Sequence, residues 1–326
     1  MSNKALVFKK VPQGYPVPGE HIVIEPASYD ASTPAPEGGV VLHSLYASFD
    51  PYMRFRMRPE EVKSHAPAFS LNQPIDSASI AKVIRSKNTN YKEGDIVTGH
   101  MPIQEYVALG AEQTANIKPL DNPLGIEDVR VFLGALGMPG LTAYSSLYEI
   151  GKPKKGETIF HEGLKVIGSV GSDEKLEYIT KDLGFDGGFN YKKEAPKNAL
   201  ARLAPQGIDI YYENVGGVHL EAALDALNNF GRVVVCGLIS QYNSEPYPIK
   251  NILNVFTKRL DIRGFFSGDQ GMGDKYAVEH QKNMQKWIKE GSFKTLTHET
   301  AGIDNAADGL AGIFHGKNMG KAVLKF

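Results

Sequence analysis

From about residue 123 the sequence alternates short apolar runs with helical stretches, and no other feature narrows the fold as much. Residues 129–133 open a helix and residues 142–149 form a second. Strands are expected at 158–160, 164–169, 187–190, 208–213, 231–237 and 260–266, with helices at 173–182, 217–227 and 274–290. Strands that alternate with helices imply a parallel sheet covered on both faces, an α/β arrangement of the doubly wound kind.

The first 122 residues have a different texture. Short β-like runs at 21–25, 39–46, 79–84, 95–98 and 104–108 are separated by Pro and Gly, which suggests a small antiparallel barrel. From about residue 295 a small helix at 305–313 and a last strand at 321–326 can return to that barrel. A chain of 326 residues suits about two domains. The expected division is 1–122, 123–294 and 295–326.

Composition removes several function classes. Hydrophobic residues make up 42% and charged residues 22%, which excludes wholesale disorder. Lys plus Arg number 36 against 37 Asp plus Glu, so no overall field draws the chain to nucleic acid or to an anionic membrane. No apolar run approaches the ~20 residues of a membrane span. The first ten residues lack an apolar core followed by a small-residue cleavage site, so secretion is not expected. One cysteine, Cys236, excludes an internal disulfide and a Cys-rich zinc site, and fits a reducing cytoplasm. The nine histidines are scattered, so no metal is expected.

Ligands of an α/β sheet bind beyond the carboxyl ends of its strands. After the strand at 164–169 comes Val170-Gly171-Ser172-Asp173-Glu174-Lys175. Ser172 can cap the next helix, with Asp173 and Glu174 in its first turn. The same turn can select the ribose of a dinucleotide, where Lys175 would meet a 2′-phosphate. After 208–213 comes Asn214-Val215-Gly216-Gly217, either a ligand-approach turn or a plain tight turn. After 231–235 comes Cys236-Gly237-Leu238-Ile239-Ser240-Gln241-Tyr242. Cys236 has no His or basic neighbour in sequence, which argues against a nucleophilic thiol.

These segments, together with Asp50-Pro51-Tyr52-Met53-Arg54, Leu136-Gly137-Met138-Pro139-Gly140-Leu141-Thr142-Ala143-Tyr144, Phe189-Asn190-Tyr191 and Gly316-Lys317-Asn318-Met319-Gly320-Lys321, occur in an order that resembles the zinc-independent medium-chain dehydrogenases/reductases. The nearest subgroup is the prostaglandin reductase, leukotriene dehydrogenase and alkenal double-bond reductase type. The resemblance spans nearly the whole chain and implies a GroES-like β-barrel plus a Rossmann-type sheet. It also implies NADPH as cofactor and a cytoplasmic homodimer. Lys175, with Ser172, would bind the 2′-phosphate, and Tyr191 would line that side. Asn214 and the loop Cys236, Gly237, Ile239 would border the nicotinamide, with Met138 and Thr142 nearby. Tyr242 would bond near the nicotinamide ribose and the substrate carbonyl. Tyr52, Phe265 and Phe266 would wall the substrate pocket, with packing alone the other reading for each. Asn318 would reach the cofactor.

The implied reaction is NADPH-dependent reduction of the carbon–carbon double bond of α,β-unsaturated aldehydes or ketones. Hydride adds to the β-carbon, and a hydrogen-bond donor, Tyr242 or a ribose hydroxyl, stabilises the enolate. Oxidation of an allylic alcohol is a secondary option. The alternatives are a non-catalytic relative unable to bind NADPH, and a quinone reductase of the same superfamily.

One stretch departs from the pattern. The strand at 158–160 is followed at once by His161-Glu162-Gly163 and the next strand. The small-residue phosphate loop and its helix are missing after Phe160. Parallel neighbours need a crossover of about a dozen or more residues. Three residues are expected to make only a tight reversal, turning the pair antiparallel. Either the fold is altered here or the sequence joins two pieces whose intervening segment is absent, with Phe160 and His161 far apart.

Overall fold

The apolar run Lys4–Phe8 (β1) buries Ala5, Leu6, Val7 and Phe8 and pairs antiparallel with Ile22–Pro26 (β2). Val40–Ser48 (β3) follows, then a one-turn helix Met53–Arg56 (α1) and the two-residue strand Gln73–Pro74 (β4) on β1. Asp76–Ser86 (β5), Ile96–Pro102 (β6), Tyr106–Leu109 (β7) and Ile117–Pro119 (β8) complete the first set. This computed structural model describes residues 3–27, 33–158 and 165–326.

The alternating part begins with Met138–Ser146 (α2), prolonged by wider turns to Gly151. Ile167–Val170 (β9) leads into Asp173–Glu177 (α3), which continues in wider turns to Asp182. Then come Gly187–Asn190 (β10), Pro196–Leu203 (α4), Ile208–Glu213 (β11), Gly217–Ala226 (α5), Leu227–Val235 (β12), Leu253–Thr257 (α6), Asp261–Gly264 (β13) and Gly273–Glu290 (α7). Thr297–Ala301 (β14), Ala306–Phe314 (α8) and Lys321–Lys325 (β15) end the chain.

Two compact units result. One is Met1–Gly137 with Gln285–Phe326, and the other is Met138–Met284. These bounds differ from the expected 122/123 and 294/295. The short helical turn Val129–Leu133 packs on β3, β5 and β15 and so stays with the first unit. The end of α7 joins it too, where Gln285 Nε2 donates to the Asp121 carbonyl at 3.1 Å.

In the first unit the strands run β14-β15-β3-β5-β6-β8, with β7 also on β3, and β2-β1-β4 forms a second sheet. An antiparallel bridge between Ala5 and Gln104 joins the two. Pairing of β15 with β3 is antiparallel, so the tail completes the first sheet. Leu6, Phe8, Phe49, Met53, Leu310 and Leu324 meet in its main apolar cluster.

The second unit holds two parallel ladders, one of two strands and one of three. β10 pairs with β9, and β11, β12 and β13 pair in turn, all parallel. Between the two sets stands a single paired residue, Thr158. It bridges Lys165 in parallel, and its carbonyl accepts from the Asp209 N–H at 3.4 Å. The Asp209 carboxylate in turn accepts from the Thr158 N–H at 2.9 Å. Counted along this unit, the order is third, second, first, fourth, fifth, sixth, the doubly wound arrangement that reverses between first and fourth strands. The antiparallel outcome expected at this point does not occur. The Thr158–Lys165 bridge is parallel. The positions Phe160 and His161 lie outside the described residues.

Candidate active site

At the carboxyl ends of β9 and β10 the backbone turns at Gly171. A Cβ there would stand 2.8 Å from the Tyr191 hydroxyl, so only glycine lets that ring lie over the turn. Ser172 caps α3, its Oγ accepting from the Lys175 N–H at 3.2 Å. Asp173 is not held open for a ribose. Its carboxylate accepts from Asn190 Nδ2 at 2.8 Å and pairs with Lys193. The Lys193 hydrogen bond, with Asn190, keeps it below the usual carboxylate range.

Lys175 is half-buried. Burial lowers its pKa first, and the Lys192 ammonium lowers it further, only partly opposed by Glu174. Lys175 follows the Ser172 cap at the carboxyl end of β9. Behind them Tyr191 sets its ring at 5.3 Å from buried His219, whose Nε2 lies 3.0 Å from Ser169 Oγ. Burial lowers the His219 pKa, so this ring is neutral at pH 7.

The carboxyl ends of β11 and β12 are organised by Glu213, which is fully buried. Its Oε1 accepts from Val215 N–H at 2.5 Å, Gly216 N–H at 2.8 Å and the Tyr211 hydroxyl at 3.2 Å. Its Oε2 is buried with no hydrogen-bond partner. Burial raises its pKa, and the two backbone donors oppose that. The Glu213 carbonyl also accepts from Cys236 N–H at 2.9 Å and Gly237 N–H at 3.1 Å. Asn214, itself exposed, accepts from Ile239 N–H at 3.0 Å, and Val215 accepts from Ser240 N–H at 3.0 Å. Gly216 at φ 77° and Gly217 at φ 57° make the tight entry into α5.

Tyr242 closes the second of these loops. Its hydroxyl lies where a Cβ on Gly237 would be 2.7 Å away, and it receives the Leu238 backbone N–H. Burial raises its pKa, so the group keeps its proton at pH 7. Cys236 is partly buried beside the Tyr212 hydroxyl, which in turn lies 2.8 Å from Ser146 Oγ. Burial pushes the thiol up, against a thiolate nucleophile.

The remaining residues fall at several places. Thr142 Oγ1 donates to the Met138 carbonyl at 2.7 Å and lies 3.4 Å from its sulfur, tying the two on α2. Phe265 is buried with Ile150, Ile210, Val234 and Met272, whereas Phe266 is half exposed. In the first unit Tyr52 starts α1 against the main cluster, and burial raises its pKa. Asn318 Nδ2 donates to the Gly320 carbonyl at 2.7 Å. An open cavity of about 580 Å³ in this unit, lined by Asp76, His100, Gln104, Gln113 and Asn116, contains none of the residues expected at the site. Among the described residues no group of three or more His, Cys, Asp and Glu could hold a metal ion. No helix among them is long and apolar enough to cross a membrane.

Sequence reading missed Glu213 as an organiser, Lys192 as a partner for Lys175, and the Ser169–His219 pair. The available signals were a carboxyl ending an apolar strand before Gly-Gly, and the run Tyr191-Lys192-Lys193.

Comparison with known proteins places these features in context. A family model described as the N-terminal domain of oxidoreductase matches residues 4–117, and one described as zinc-binding dehydrogenase matches residues 160–283. An NADP-dependent oxidoreductase, RED1 of Cochliobolus heterostrophus, is 48% identical over 343 aligned positions, covering 99% of this chain and 97% of the relative. A tobacco (Nicotiana tabacum) protein named 2-alkenal reductase (NADP(+)-dependent) is 36% identical over 347 positions, covering 99% and 97%. CurA of Vibrio vulnificus, solved in complex with NADPH, superposes with a TM-score of 0.84 at 30% identity, covering 99% of this chain and 98% of CurA. An alignment of 343 positions against a chain of 326 residues leaves at least 17 positions filled only in the Cochliobolus relative.

Proposed function

The chain belongs to the medium-chain dehydrogenase/reductase family, in its zinc-independent branch, and on that premise we propose that it reduces the carbon–carbon double bond of α,β-unsaturated aldehydes or ketones with NADPH. The observation that carries the choice of NADPH is half-buried Lys175, whose N–H the Ser172 cap holds at the carboxyl end of β9. The nearby carboxylate, Asp173, is already engaged by Asn190 and Lys193. The reduction of an enal is supported by the likeness to the tobacco relative, which is named for that reaction.

When bound, NADPH supplies a hydride. In this reading Lys175, with Lys192, neutralises the 2′-phosphate, Ser172 fixes the turn beneath it, and Tyr191 flanks it. Asn214 and the backbone of Cys236, Gly237 and Ile239 border the nicotinamide end, with Met138 and Thr142 beside it and Asn318 assigned to the same ligand. Tyr242 keeps its proton and donates it as a hydrogen bond to the substrate carbonyl, stabilising charge that develops there. The bond its oxygen accepts from the Leu238 N–H is compatible with this, because a phenol accepts on oxygen and donates through its O–H. Tyr52 and Phe266 are assigned to the apolar part of the substrate, and Phe265 supports Phe266 from the core.

A homodimer is part of the reading. The edge strand β13 is exposed along its length, and Leu253 and Phe256 on α6 are exposed as well. A cytoplasmic location is proposed with it, in keeping with the single thiol.

The test is NADPH consumption by the purified protein with a 2-alkenal, an enone and a quinone in parallel, with products identified by mass spectrometry. The saturated aldehyde or ketone is expected. An allylic alcohol as sole product, or turnover only with the quinone, would sink the proposal.

A further inference from the structure

We infer that Lys321 is a positioning residue, whose ammonium, bonded to Asp50, sets the substrate-side turn at Tyr52 and the cofactor-side loop at Asn318 as one piece. The inference rests on the roles proposed above for Tyr52 and Asn318, and adds what holds those two in register.

Lys321 opens β15, three residues after Asn318. Asp50 lies just past the end of β3, two residues before Tyr52. All four belong to the first unit. Lys321 Nζ donates to the Phe49 carbonyl at 2.6 Å and to Asp50 Oδ1 at 2.9 Å. Asp50 Oδ2 accepts from Ser48 Oγ. The pair is largely closed off from water, the Asp50 side chain being 6% exposed and that of Lys321 16%. Separating such a pair would leave a charge buried and unpaired, so it holds its geometry where an exposed pair would exchange with solvent. A glycine makes room for it. A Cβ on Gly134 would stand 3.2 Å from Lys321 Cγ, so the lysine stem passes over bare backbone.

Hydrogen bonds on each side carry the constraint outward. Phe49 N–H donates to the Ala322 carbonyl at 3.2 Å, and Met53 N–H to the Asp50 carbonyl at 3.1 Å, which fixes the turn that holds Tyr52. Lys321 N–H donates to the Leu296 carbonyl at 2.8 Å, and Asn318 Nδ2 reaches back to the Gly320 carbonyl. Displacing Asp50 therefore moves Tyr52, and displacing Lys321 moves Asn318. A pair that served stability alone could be replaced by neutral side chains of similar size without loss. That replacement separates the two roles.

The test compares the parent with Lys321→Met, with the double variant Asp50→Asn/Lys321→Met, and with Tyr52→Ala and Asn318→Ala. Lys321→Met leaves Asp50 charged and unpaired and can fail to fold, whereas the double variant removes both charges at similar volume. NADPH Kd is read from nicotinamide fluorescence, KM and kcat from reduction of an enal, and backbone opening from hydrogen exchange. The double variant is expected to keep the parent's circular dichroism, and to raise the NADPH Kd and the enal KM together, each by about five-fold or more. Its kcat should stay within about two-fold of the parent's. Tyr52→Ala should raise KM alone, and Asn318→Ala should raise Kd alone. In the double variant, exchange at 49–53 and 316–322 should quicken by about ten-fold, while β6 keeps the parent's rate. Parental Kd and KM in the double variant, a change in only one of them, or parental exchange in either segment would overturn the inference. If the parent reduces no enal, the proposed reaction falls by itself, and Kd and exchange still decide the role of Lys321.

Discussion

Glu213→Ala and Glu213→Gln together measure what one buried carboxyl does for two loops. In the native protein Oε1 accepts from two backbone N–H groups and the Tyr211 hydroxyl. Truncation to Ala orphans these donors in a site that solvent does not reach. Each unsatisfied buried group costs about 1–3 kcal/mol. Against that, Ala also removes Oε2, which is buried without a partner, and so relieves a penalty of about the same size as one of them. The net expected loss is about 2–6 kcal/mol. Gln keeps an acceptor oxygen for the same donors, so its loss should stay near 1 kcal/mol. The pH dependence has a definite sign. Burial raises the Glu213 pKa above its ordinary 4.5, so between the two values the folded state binds more protons than the unfolded state. Stability from this group therefore falls as pH rises through that window. The amide of the Glu213→Gln variant cannot titrate, so the parent should lose ground to that variant as pH increases. Urea unfolding followed by circular dichroism, with hydrogen exchange over 208–240 to identify the transition, reads both effects. An Ala variant within 0.5 kcal/mol of the parent, roughly the scatter of a neutral surface change, would refute the organising role. So would a Gln variant as damaged as Ala.

Two further outcomes are expected. Tyr242→Phe should lower kcat with an enal while leaving the unfolding midpoint close to the parent's, and turnover at the parent rate would remove its hydroxyl from the reaction. Arg232→Ala should destabilise the second unit by about 1.5–3 kcal/mol, the range for hydrogen bonds to charged groups. That side chain makes two bonds to Glu157, at 2.9 and 2.5 Å, and a third to the Gly151 carbonyl. Burial raises the Glu157 pKa, but Arg232 and a backbone donor outweigh it and the net shift is downward. The stability this pair contributes is present above the ordinary 4.5 and is lost as pH falls through the folded value. The loss in the Arg232→Ala variant should therefore shrink in acid, as thermal or urea unfolding at several pH values would show.

Much of the architecture could be read from sequence because period and punctuation agreed. Ile208–Glu213 is an unbroken apolar and aromatic run ended by Asn-Val-Gly-Gly, and it forms a strand with those bounds. Gly187–Asn190 and the long α7 were legible for similar reasons. Thr297–Ala301 was not, because its residues are polar and mostly partly exposed, and it is a strand only by pairing with β15. Pro196–Leu203 was passed over although Pro196 stands at the favoured first helical position. At the site, the Ser172 cap was visible from spacing alone. Lys192 and His219 were not, because their roles depend on which neighbours the fold brings to them. Phe265 and Phe266 are the instructive case. The two adjacent rings read alike in sequence, yet the structure buries Phe265 in the core and leaves Phe266 half exposed.

The two parallel ladders of the second unit differ in how much holds each together. β9 and β10 pair over Ile167–Val170 and Gly187–Asn190 alone. In β11, β12 and β13 the middle strand is bonded on both sides, and its Val233 and Val234 are fully buried. Protection against hydrogen exchange should accordingly fall into two tiers, with 167–190 opening at lower free energy than 208–264. Under pulling force, or in mild denaturant, the β9–β10 pair would open first and leave the three-stranded ladder behind.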